Sequence, residues 1–264
     1  MVSIAKVIKN SGIDKKEATL LVSFILKKPK EFVIAHDDYL LDNEKLARVL
    51  RLFDRRKNHE PIAYLTGCKE FYGRDFEVDK NVLIPRPETE TIIEAIKKLL
   101  NDDTKNVLDI GTGSGCIGIT LKLERPRINV TMSEISKEAL KAADINVRKF
   151  GVEVELVYSD LLKNIPKNTV YDIIVANLPY VDKVWETPPD LQYEPKMALY
   201  ADDGGIDIIK KCIQAAPDYL AKNGYLVLEL DPCQHKDVVE FSKGFGFKKH
   251  LIDDYILVLK NNLT

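Results

Sequence analysis

The spacing of apolar residues predicts helices in the first quarter of the chain. Residues 2 to about 66 are expected to be helical throughout, because apolar side chains recur at helical spacing in "DKKEATLLVSFILKK" and "DNEKLARVLRLFDRRK". The first of these helices has Asp14 as its N-cap with Glu17 at the third position, and the second has Asp42 or Asn43. The side chains expected to face the core are Ala18, Leu21, Val22 and Ile25 in the first, and Leu46, Val49, Leu50 and Phe53 in the second. This pattern predicts a small helical bundle.

The apolar period changes to two near residue 70. "EFYGRDFEVDKNVLI", residues 70–84, alternates apolar and polar positions around residues 73–75, which is typical of a β-hairpin. "PRPETETIIEAIKKLL" follows, where Pro87 suits a first helical turn and Glu88 and Glu90 suit a helix N-terminus. We therefore expect a helical domain over 1–69, a hairpin linker over 70–86 and a larger domain over 87–264.

Strand-like and helical stretches alternate after residue 105. The strand-like runs are "NVLDI", "INVTM", "EVELVY", "YDIIVA", "GYLVLEL", "FKKHLI" and "YILVLK". Alternation of this kind predicts an α/β domain, a mostly parallel sheet with helices on both faces. Only residues 253–254 join the last two runs, which is too short for a crossover helix, so these two strands are expected to be antiparallel neighbours.

Composition restricts the classes of function. Charged residues make up 30% of the 264-residue chain, but the formal net charge is only -2, so the electrostatic footprint of a dedicated nucleic-acid binder is missing and no direct nucleic-acid binding is expected. The four cysteines form no C-x-x-C pair, so neither a metal site nor a disulfide framework is predicted. No apolar stretch approaches ~18 residues and the N-terminus has no signal-peptide pattern. We expect a cytoplasmic protein, without a membrane span, that acts as a monomer.

A glycine loop follows the first strand of the predicted sheet. "VLDIGTGSGCIGI" places Gly111, Gly113 and Gly115 before a helix, where backbone N–H groups are free to bind a nucleotide-like cofactor. Gly113, Gly115 and Gly118 also satisfy G-x-G-x-x-G, and Glu134 lies 21 residues beyond Gly113, at the end of the second strand. That spacing is typical of a dinucleotide site, in which the acid binds the ribose.

Asp109 distinguishes two cofactors at this loop. A carboxylate just before the glycines would repel a pyrophosphate but would suit the cationic end of S-adenosylmethionine, whose ribose also needs an acid at position 134. The loop therefore favours S-adenosylmethionine over NAD. A glycine turn without a ligand is the structural alternative.

The tetrapeptide "NLPY", residues 177–180, follows the fourth strand, at the carboxyl edge where ligands bind in such folds. An amide or exocyclic amine is a poor nucleophile, so an enzyme that methylates one must hold it in place. The Asn177 side-chain oxygen can accept one N–H and the Leu178 carbonyl the other, while Pro179 keeps the preceding residue extended and Tyr180 can cover the planar group. An ordinary turn is the alternative for this segment.

These motifs resemble the HemK/PrmC family of protein-(glutamine-N5) methyltransferases along nearly the whole chain. The most specific stretch is "EPIAYLTGCKEFYGRDFEVDKNVLIPRPETE", residues 60–90. The resemblance implies a seven-stranded Rossmann-like class I methyltransferase domain behind a helical substrate-recognition domain. It also implies methylation of the glutamine in the Gly-Gly-Gln motif of class 1 peptide chain release factors.

The resemblance also implies roles for individual residues. Those expected to bind S-adenosylmethionine are Asp109, Gly111, Thr112, Gly113, Ser114, Gly115, Glu134, Asp160, Leu161 and Asn177. Those expected to hold the glutamine are Arg86, Asn177, Leu178, Pro179 and Tyr180, of which Asn177, Pro179 and Tyr180 form the catalytic set. An ion pair is the alternative role for Arg86, and an exposed loop acid is the alternative for Asp160. "YEPKMALYADDGG", residues 193–205, resembles a family loop beside the acceptor pocket.

Three positions depart from the family pattern. Leu178 replaces a proline, Glu134 replaces an aspartate, and Asp231-Pro232 in "ELDPCQ" replaces a glycine-containing strand end. The leucine carbonyl can serve the same role as that of proline, and Glu134 keeps the charge. The sequence offers no account of Asp231-Pro232.

Other functions stay open at this point. A sister enzyme that methylates a ribosomal-protein glutamine would share the tetrapeptide and the glycine loop. "NLPY" also resembles rRNA adenine-N6 dimethyltransferases, but their domain order is reversed. An NAD-dependent oxidoreductase would need a proton donor, and His36, His59, His235 and His250 sit at no strand end that suggests one. A catalytically dead binding module is disfavoured by the intact Asn177, Pro179 and Tyr180.

Overall fold

The computed structural model describes residues 1–101 and 103–262. Its contacts divide the chain into two compact units. The first consists of Met1–Cys68 and Pro188–Tyr193, and the second of Lys69–Thr187 and the chain from Glu194 onward. Nothing in the apolar pattern predicted that residues 188–193 belong with the first unit.

The first unit is mainly helical. Its elements are β1 (Val2–Ser3), α1 (Ile4–Lys9), α2 (Lys15–Leu26), α3 (Lys30–Ala35), β2 (Leu40–Leu41), α4 (Asn43–Lys57) and α5 (Ile62–Thr66). The expectation of helix throughout this region was wrong at β1 and β2, which pair antiparallel. Strands of two residues are too short to show a period in the sequence.

The caps predicted for α2 and α4 are confirmed. Asp14 accepts hydrogen bonds from the N–H groups of Lys16 and Glu17, and Asp42 accepts one from the N–H of Lys45. Glu17, expected to complete the cap of α2, instead binds the guanidinium of Arg56 in α4 through two N–O contacts of 2.8 Å. This ion pair joins the two helices on which the unit is built.

The buried faces of these helices agree with the predicted stripes except at one position. All four residues predicted for α2 are buried, as are Val49 and Phe53 in α4. Leu50 is 49% exposed, and Leu52 is buried in its place. Residues 49, 52 and 53 share one face of a 3.6-residue helix, whereas residue 50 points about 100° away.

The second unit is an α/β domain. From residue 68 onward the elements are β3 (Cys68–Phe71), β4 (Arg74–Glu77), α6 (Glu90–Leu99), β5 (Asn106–Ile110), α7 (Cys116–Glu124), β6 (Asn129–Glu134), α8 (Lys137–Phe150), β7 (Glu155–Tyr158), β8 (Tyr171–Ala176), β9 (Val181–Asp182), α9 (Lys196–Leu199), β10 (Tyr200–Ala201), α10 (Asp207–Ala215), β11 (Leu220–Glu229), α11 (His235–Lys243), β12 (Phe247–Asp253) and β13 (Ile256–Asn261). None of the helices in the described part of the chain combines the length and the apolar composition that a membrane span needs.

The central sheet confirms the predicted fold class. Within the described residues it has seven strands in the order β12-β13-β11-β8-β5-β6-β7. β13 runs antiparallel to β11 and β12, whereas the pairings among the other strands are parallel. The two antiparallel strands at the end of the chain were predicted from their short connection, and this is confirmed.

Apolar layers cover both faces of the sheet. Along β8, Ile174 and Ala176 belong to one buried cluster, and Ile173 and Val175 belong to the other. Successive side chains of a strand point to opposite faces, so a strand buried on both sides reads as an unbroken apolar run. This explains why "YDIIVA" shows no polar alternation.

The carboxyl ends of β5, β6, β8 and β11 lie at one edge of the sheet. β6 pairs on one side of β5 and β8 on the other, so the loops after β5 and β8 diverge there. Such a switch in strand order opens a crevice outside the strand ends. β5 and β8 are neighbours in the sheet, so the glycine loop and the tetrapeptide leave it from adjacent strands and border this crevice.

The predicted hairpin and the helix after it exist, with shifted bounds. β3 and β4 turn at Tyr72 and Gly73, whose φ angles of 52° and 70° are both left-handed. The turn therefore precedes residues 74–75, which belong to β4. The helix predicted from Pro87 begins at Glu90, because residues 87–89 form a tighter turn in which Glu90 N–H donates to the Pro87 carbonyl.

Candidate active site

The glycine loop joins β5 to α7 in a conformation that requires glycine. Gly111, Gly113 and Gly115 have φ angles of 70°, 55° and 84°. The N–H groups of Gly111 and Thr112 donate to the Ser133 carbonyl of β6, at 2.8 and 3.1 Å. The loop is thus fastened to the neighbouring strand, and the first turn of α7 follows it at the edge of the sheet.

Asp109 lies beneath this loop. Its Oδ2 accepts hydrogen bonds from the Thr112 hydroxyl at 2.6 Å and the Gly118 N–H at 3.0 Å, and burial raises the pKa of its carboxyl to about 6. The sequence predicted a carboxylate that faces the cofactor, but Asp109 is fully buried and lies outside the cavity lining. In the structure Asp109 stabilises the glycine loop and the start of α7 through these two hydrogen bonds.

Glu134 ends β6 beside the loop. It is 8% exposed, and its two oxygens accept hydrogen bonds from the N–H groups of Gly113 at 3.0 Å and Ser136 at 2.9 Å. Each carboxylate oxygen keeps a further lone pair for a ligand hydroxyl. Glu134 therefore both shapes the loop and lines the crevice in front of it.

Asn146 in α8 is a contributor that the sequence did not predict. Its side chain is fully buried, accepts from the Glu77 N–H at 2.8 Å, and donates to the carbonyls of Glu77 at 2.9 Å and Ser114 at 2.8 Å. It thus connects the end of β4 to the glycine loop. A single polar residue within an amphipathic helix carries no signal for such a contact.

The loop after β7 contributes Asp160 and Leu161. Leu161 has a left-handed φ of 50°, and the Ser159 hydroxyl donates to its carbonyl at 2.8 Å. Asp160 pairs with Lys163 on the surface. Both residues line the same crevice as Glu134, and their contact with the cofactor stays a prediction.

The tetrapeptide follows β8, with Asn177 and Pro179 on the cavity wall. The Asn177 side chain donates from Nδ2 to the Thr89 hydroxyl at 3.2 Å. Leu178 is only 5% exposed and packs into the core of the sheet, where its side chain would come within 3.1 Å of a Cβ on Gly111. Leu178, which departs from the family pattern, thus packs its apolar side chain between the tetrapeptide and the glycine loop.

The sequence predicted that Tyr180 covers the acceptor amide, but in the structure Tyr180 lies outside the cavity lining. Its hydroxyl donates to Oε1 of Glu229 at 3.3 Å, and burial is the main reason why the pKa of the phenol is raised. Glu229, at the end of β11, is 1% exposed, and burial raises the pKa of its carboxyl to about 7. The sequence analysis named Tyr180 but not Glu229.

Gln234 explains the Asp231-Pro232 departure. Residues 232–234 form one short 3-10 turn, capped because Asp231 accepts from the Cys233 N–H while the Gln234 side chain accepts from the Asp231 N–H. This places the buried amide of Gln234 where it donates to the carbonyls of Tyr180 at 2.8 Å and Gly204 at 2.7 Å. The turn therefore clamps the tetrapeptide to the loop before α10.

Arg86 has a partner that the sequence alternative did not identify. Its guanidinium contacts Oε1 of Glu194 at 2.5 Å, and Oε2 of the same carboxylate accepts from the Ile84 N–H at 2.9 Å. Glu194 is 4% exposed, so this pair fixes residues 84–86 against the segment that begins at Glu194, within the second unit. Arg86 also lines the cavity.

One cavity of about 480 Å³ joins these features, all within the second unit. Its walls are the glycine loop, the loop after β7, the tetrapeptide, the segment around Arg86 and the segment around Pro195. The size is in the range of small-molecule sites. Asp109, Gly115 and Tyr180 lie outside the lining. No cluster of histidine, cysteine or acidic residues that could hold a metal ion occurs in the described part of the chain.

Comparisons with known proteins agree with this geometry. The PrmC N-terminal domain model matches residues 4–67, and the methyltransferase small domain model matches residues 88–191. The chain is 39% identical over 222 residues to a release factor glutamine methyltransferase of Neisseria gonorrhoeae, covering 83% of this chain and 81% of that protein. A release factor glutamine methyltransferase of Koribacter versatilis is 41% identical over 219 residues, covering 81% of this chain and 78% of that protein.

Solved structures share much of the fold of this chain. A T. thermophilus 16S rRNA N2 G1207 methyltransferase, in complex with AdoMet and guanosine, superposes with a TM-score of 0.54 at 18% identity, covering 74% of this chain and 50% of that chain. At this identity the likeness concerns the fold alone.

Proposed function

The chain belongs to the family of release factor glutamine methyltransferases, and on this premise we propose that it methylates a glutamine side chain. The methyl group comes from S-adenosylmethionine, and the acceptor is the amide nitrogen (N5) of the glutamine in the Gly-Gly-Gln motif of class 1 peptide chain release factors. The helical first unit, which matches the PrmC N-terminal domain model, supplies recognition of the release factor.

One observation carries the proposal. The glycine loop and the tetrapeptide are walls of a single cavity, so a cofactor on the first and an amide on the second would meet inside it. S-adenosylmethionine, held by Glu134 and the glycine loop, would supply an electrophilic methyl group. Its carbon–sulfur bond would break as the bond to the amide nitrogen forms, and the nitrogen would then release a proton to solvent. The task left to the protein is to orient two partners with reacting atoms about 3 to 3.5 Å apart.

The cofactor wall fits S-adenosylmethionine. Glu134 has free carboxylate lone pairs for ribose hydroxyls, and the space above Gly113 is open, because a Cβ there would meet no atom within 4 Å. Leu161 offers an apolar surface for an adenine face, and Asp160 offers an acceptor for its amine. Both lie on the same wall.

The acceptor wall fits a planar amide. With its Nδ2 directed at Thr89, Asn177 has its Oδ1 left to accept one N–H of the substrate amide. The Leu178 carbonyl accepts the other, and Pro179 restricts the backbone so that this carbonyl is held in place. Tyr180 lies outside the cavity lining, and its hydrogen bonds to Glu229 and Gln234 hold the end of the tetrapeptide in place.

The proposal is tested with purified protein, labelled S-adenosylmethionine and a class 1 release factor. We expect label on the release factor and none on a variant whose motif glutamine is replaced by alanine. A ribosomal-protein fraction and RNA serve as parallel acceptors. Equal labelling of the release factor and of its alanine variant, or labelling of only a parallel acceptor, would contradict the proposed substrate.

Two variants separate the roles of the cavity walls. Asn177→Ala should abolish transfer while cofactor binding stays nearly intact. Glu134→Ala should instead weaken cofactor binding by roughly 1 to 3 kcal/mol, since it removes a charged hydrogen-bond partner. The exposed Glu153→Ala is the matched control for the loss of one acid. Unchanged turnover in Asn177→Ala would exclude this residue from the mechanism.

A further inference from the structure

Glu229 is a buried acid directly behind the acceptor wall. In the parallel pairing of β11 with β8, Leu228 is the partner of Ala176, so the next residues of the two strands, Glu229 and Asn177, leave the sheet together. The side chain of Glu229 is 1% exposed. A carboxyl group this deeply buried is costly unless other groups compensate its charge.

Hydrogen-bonding groups of the acceptor wall surround this carboxyl. Oε1 accepts from the Tyr180 hydroxyl at 3.3 Å, while Oε2 is buried with no hydrogen-bond partner among the described residues. The side chains of Thr89 and Asn177 face the same carboxyl closely enough to lower its pKa. Thr89, which lines the cavity and is itself 2% exposed, accepts the Nδ2 hydrogen of Asn177 at 3.2 Å.

We propose that Glu229 is a positioning residue that sets the direction of this hydrogen-bond chain and so turns the Asn177 side-chain oxygen toward the acceptor amide. The proposal rests on the role of Asn177 in the proposed function. The first link, from Asn177 Nδ2–H to the Thr89 oxygen, is present in the structure. The second link is part of the proposal: the Thr89 hydroxyl, which lies close enough to lower the pKa of Glu229, would donate its hydrogen to the unpartnered Oε2. Glu229 touches neither substrate nor cofactor and acts through Thr89 and Asn177.

The direction follows from the donor and acceptor inventory. An ionised carboxylate can only accept, so the single hydrogen of the Thr89 hydroxyl must go to Glu229 and its lone pairs remain for Asn177. Asn177 then has to present its N–H to Thr89 and its oxygen to the cavity. A neutral amide in place of Glu229 could donate instead, and both orientations of the Asn177 side chain would become available.

The protonation state of Glu229 therefore couples to the chemistry. Burial raises the pKa of its carboxyl to about 7, and the charged or titratable groups that face it are Glu88, Tyr180, Tyr255 and Cys116. The negative charge of Glu88 raises the pKa of Glu229 further, whereas the Tyr180 hydroxyl lowers it. Below this pKa the carboxyl can donate, the direction of the chain is lost, and the rate of transfer should fall.

The first arm of the test needs no substrate. The side-chain carboxyl resonance of Glu229, assigned by its loss in Glu229→Gln, is titrated by NMR together with the side-chain amide resonances of Asn177. We expect both to move with the same midpoint. In Thr89→Val the midpoint should shift upward, because a donor that favours the carboxylate is lost, and the two titrations should separate. Asn177 resonances that do not follow the titration of Glu229 would overturn the proposal, whatever the natural acceptor is.

The second arm measures methyl transfer to the release factor. Glu229→Gln should lower kcat by about tenfold or more. In the unchanged protein the rate should rise with pH as Glu229 ionises, and this rise should be absent in the variant. The affinity for S-adenosylmethionine and the thermal stability should stay close to those of the unchanged protein. Thr89→Val should behave in the same way, and Thr89→Ser, which restores the hydroxyl, should recover most of the rate. An unchanged pH profile in Glu229→Gln, or a failure of Thr89→Ser to recover the rate lost in Thr89→Val, would overturn the assignment.

If Glu229→Gln does not fold, the two Thr89 variants and the NMR titration decide it. If the unchanged protein does not label a release factor, the proposed function fails and the NMR arm still decides the role of Glu229.

Discussion

Replacing Asn146 with leucine removes three buried hydrogen bonds while the side chain keeps a similar size. The lost contacts are those to the Glu77 N–H, the Glu77 carbonyl and the Ser114 carbonyl, at 2.8, 2.9 and 2.8 Å. At a net value of about 1 kcal/mol each, the free energy of unfolding should fall by about 3 kcal/mol. For a unit of this size that corresponds to a fall in melting temperature of about 6 to 12 °C.

The same change should weaken cofactor binding, because Ser114 belongs to the glycine loop. We expect the Kd for S-adenosylmethionine to rise about tenfold, equivalent to about 1.4 kcal/mol. Thermal unfolding is followed with and without the cofactor, and the Kd is measured by calorimetry. Asn129→Leu is the matched control, since Asn129 is exposed and its side chain donates one hydrogen bond, to Asn106.

Two results would refute this reasoning. A melting temperature of Asn146→Leu within about 2 °C of the control would mean that the three hydrogen bonds contribute little net stability. A large loss of stability with an unchanged Kd would mean that the anchoring of the loop through Ser114 does not shape the cofactor site.

Three further changes test other parts of the site. Gln234→Leu should lower kcat about tenfold with little effect on cofactor affinity, because the tetrapeptide loses its clamp; steady-state kinetics check this, and an unchanged kcat would contradict it. Gly111→Ala should weaken cofactor binding, since φ is 70° and the new Cβ would lie 3.1 Å from Leu178. Adding Leu178→Val should recover only the part of the loss that comes from this close contact, because the backbone strain remains. The Kd values of the single and the double variant are compared. Glu194→Gln should lower the free energy of unfolding by about 1 to 2 kcal/mol, since a neutral amide binds Arg86 more weakly; a change in a urea titration below about 0.5 kcal/mol would show that the pair contributes little.

Much of the fold was predictable because its signals are local. The runs predicted for β5 and β8 match Asn106–Ile110 and Tyr171–Ala176 residue for residue, because a strand buried on both faces is a mainly apolar run that is visible in the sequence. The antiparallel end of the sheet followed from a short connection. The resemblance to the HemK/PrmC family, drawn from residues 60–90 and from the two loops, is confirmed by the family models and the relatives.

The predictions that were wrong concern short strands, helix faces and element boundaries. β1 and β2 are too short to show a period in the sequence, and Leu50 was predicted to be buried where the structure buries Leu52. The hairpin turn lies at Tyr72 and Gly73, whereas the sequence predicted it around residues 73–75. Boundaries of this kind depend on which neighbouring residue the fold buries, and that is a tertiary matter.

The sequence by itself determined the strands of the central sheet, the glycine loop, the tetrapeptide and the family, since the signal for each of these lies in adjacent residues. Only the tertiary structure decided how the loops are held. Asn146 reaches Glu77 across 69 residues, Gln234 reaches Tyr180 across 54 and Tyr180 reaches Glu229 across 49. No pattern along the chain marks such pairs, because a buried polar side chain is specified by the partners that the fold brings to it and not by its neighbours in sequence.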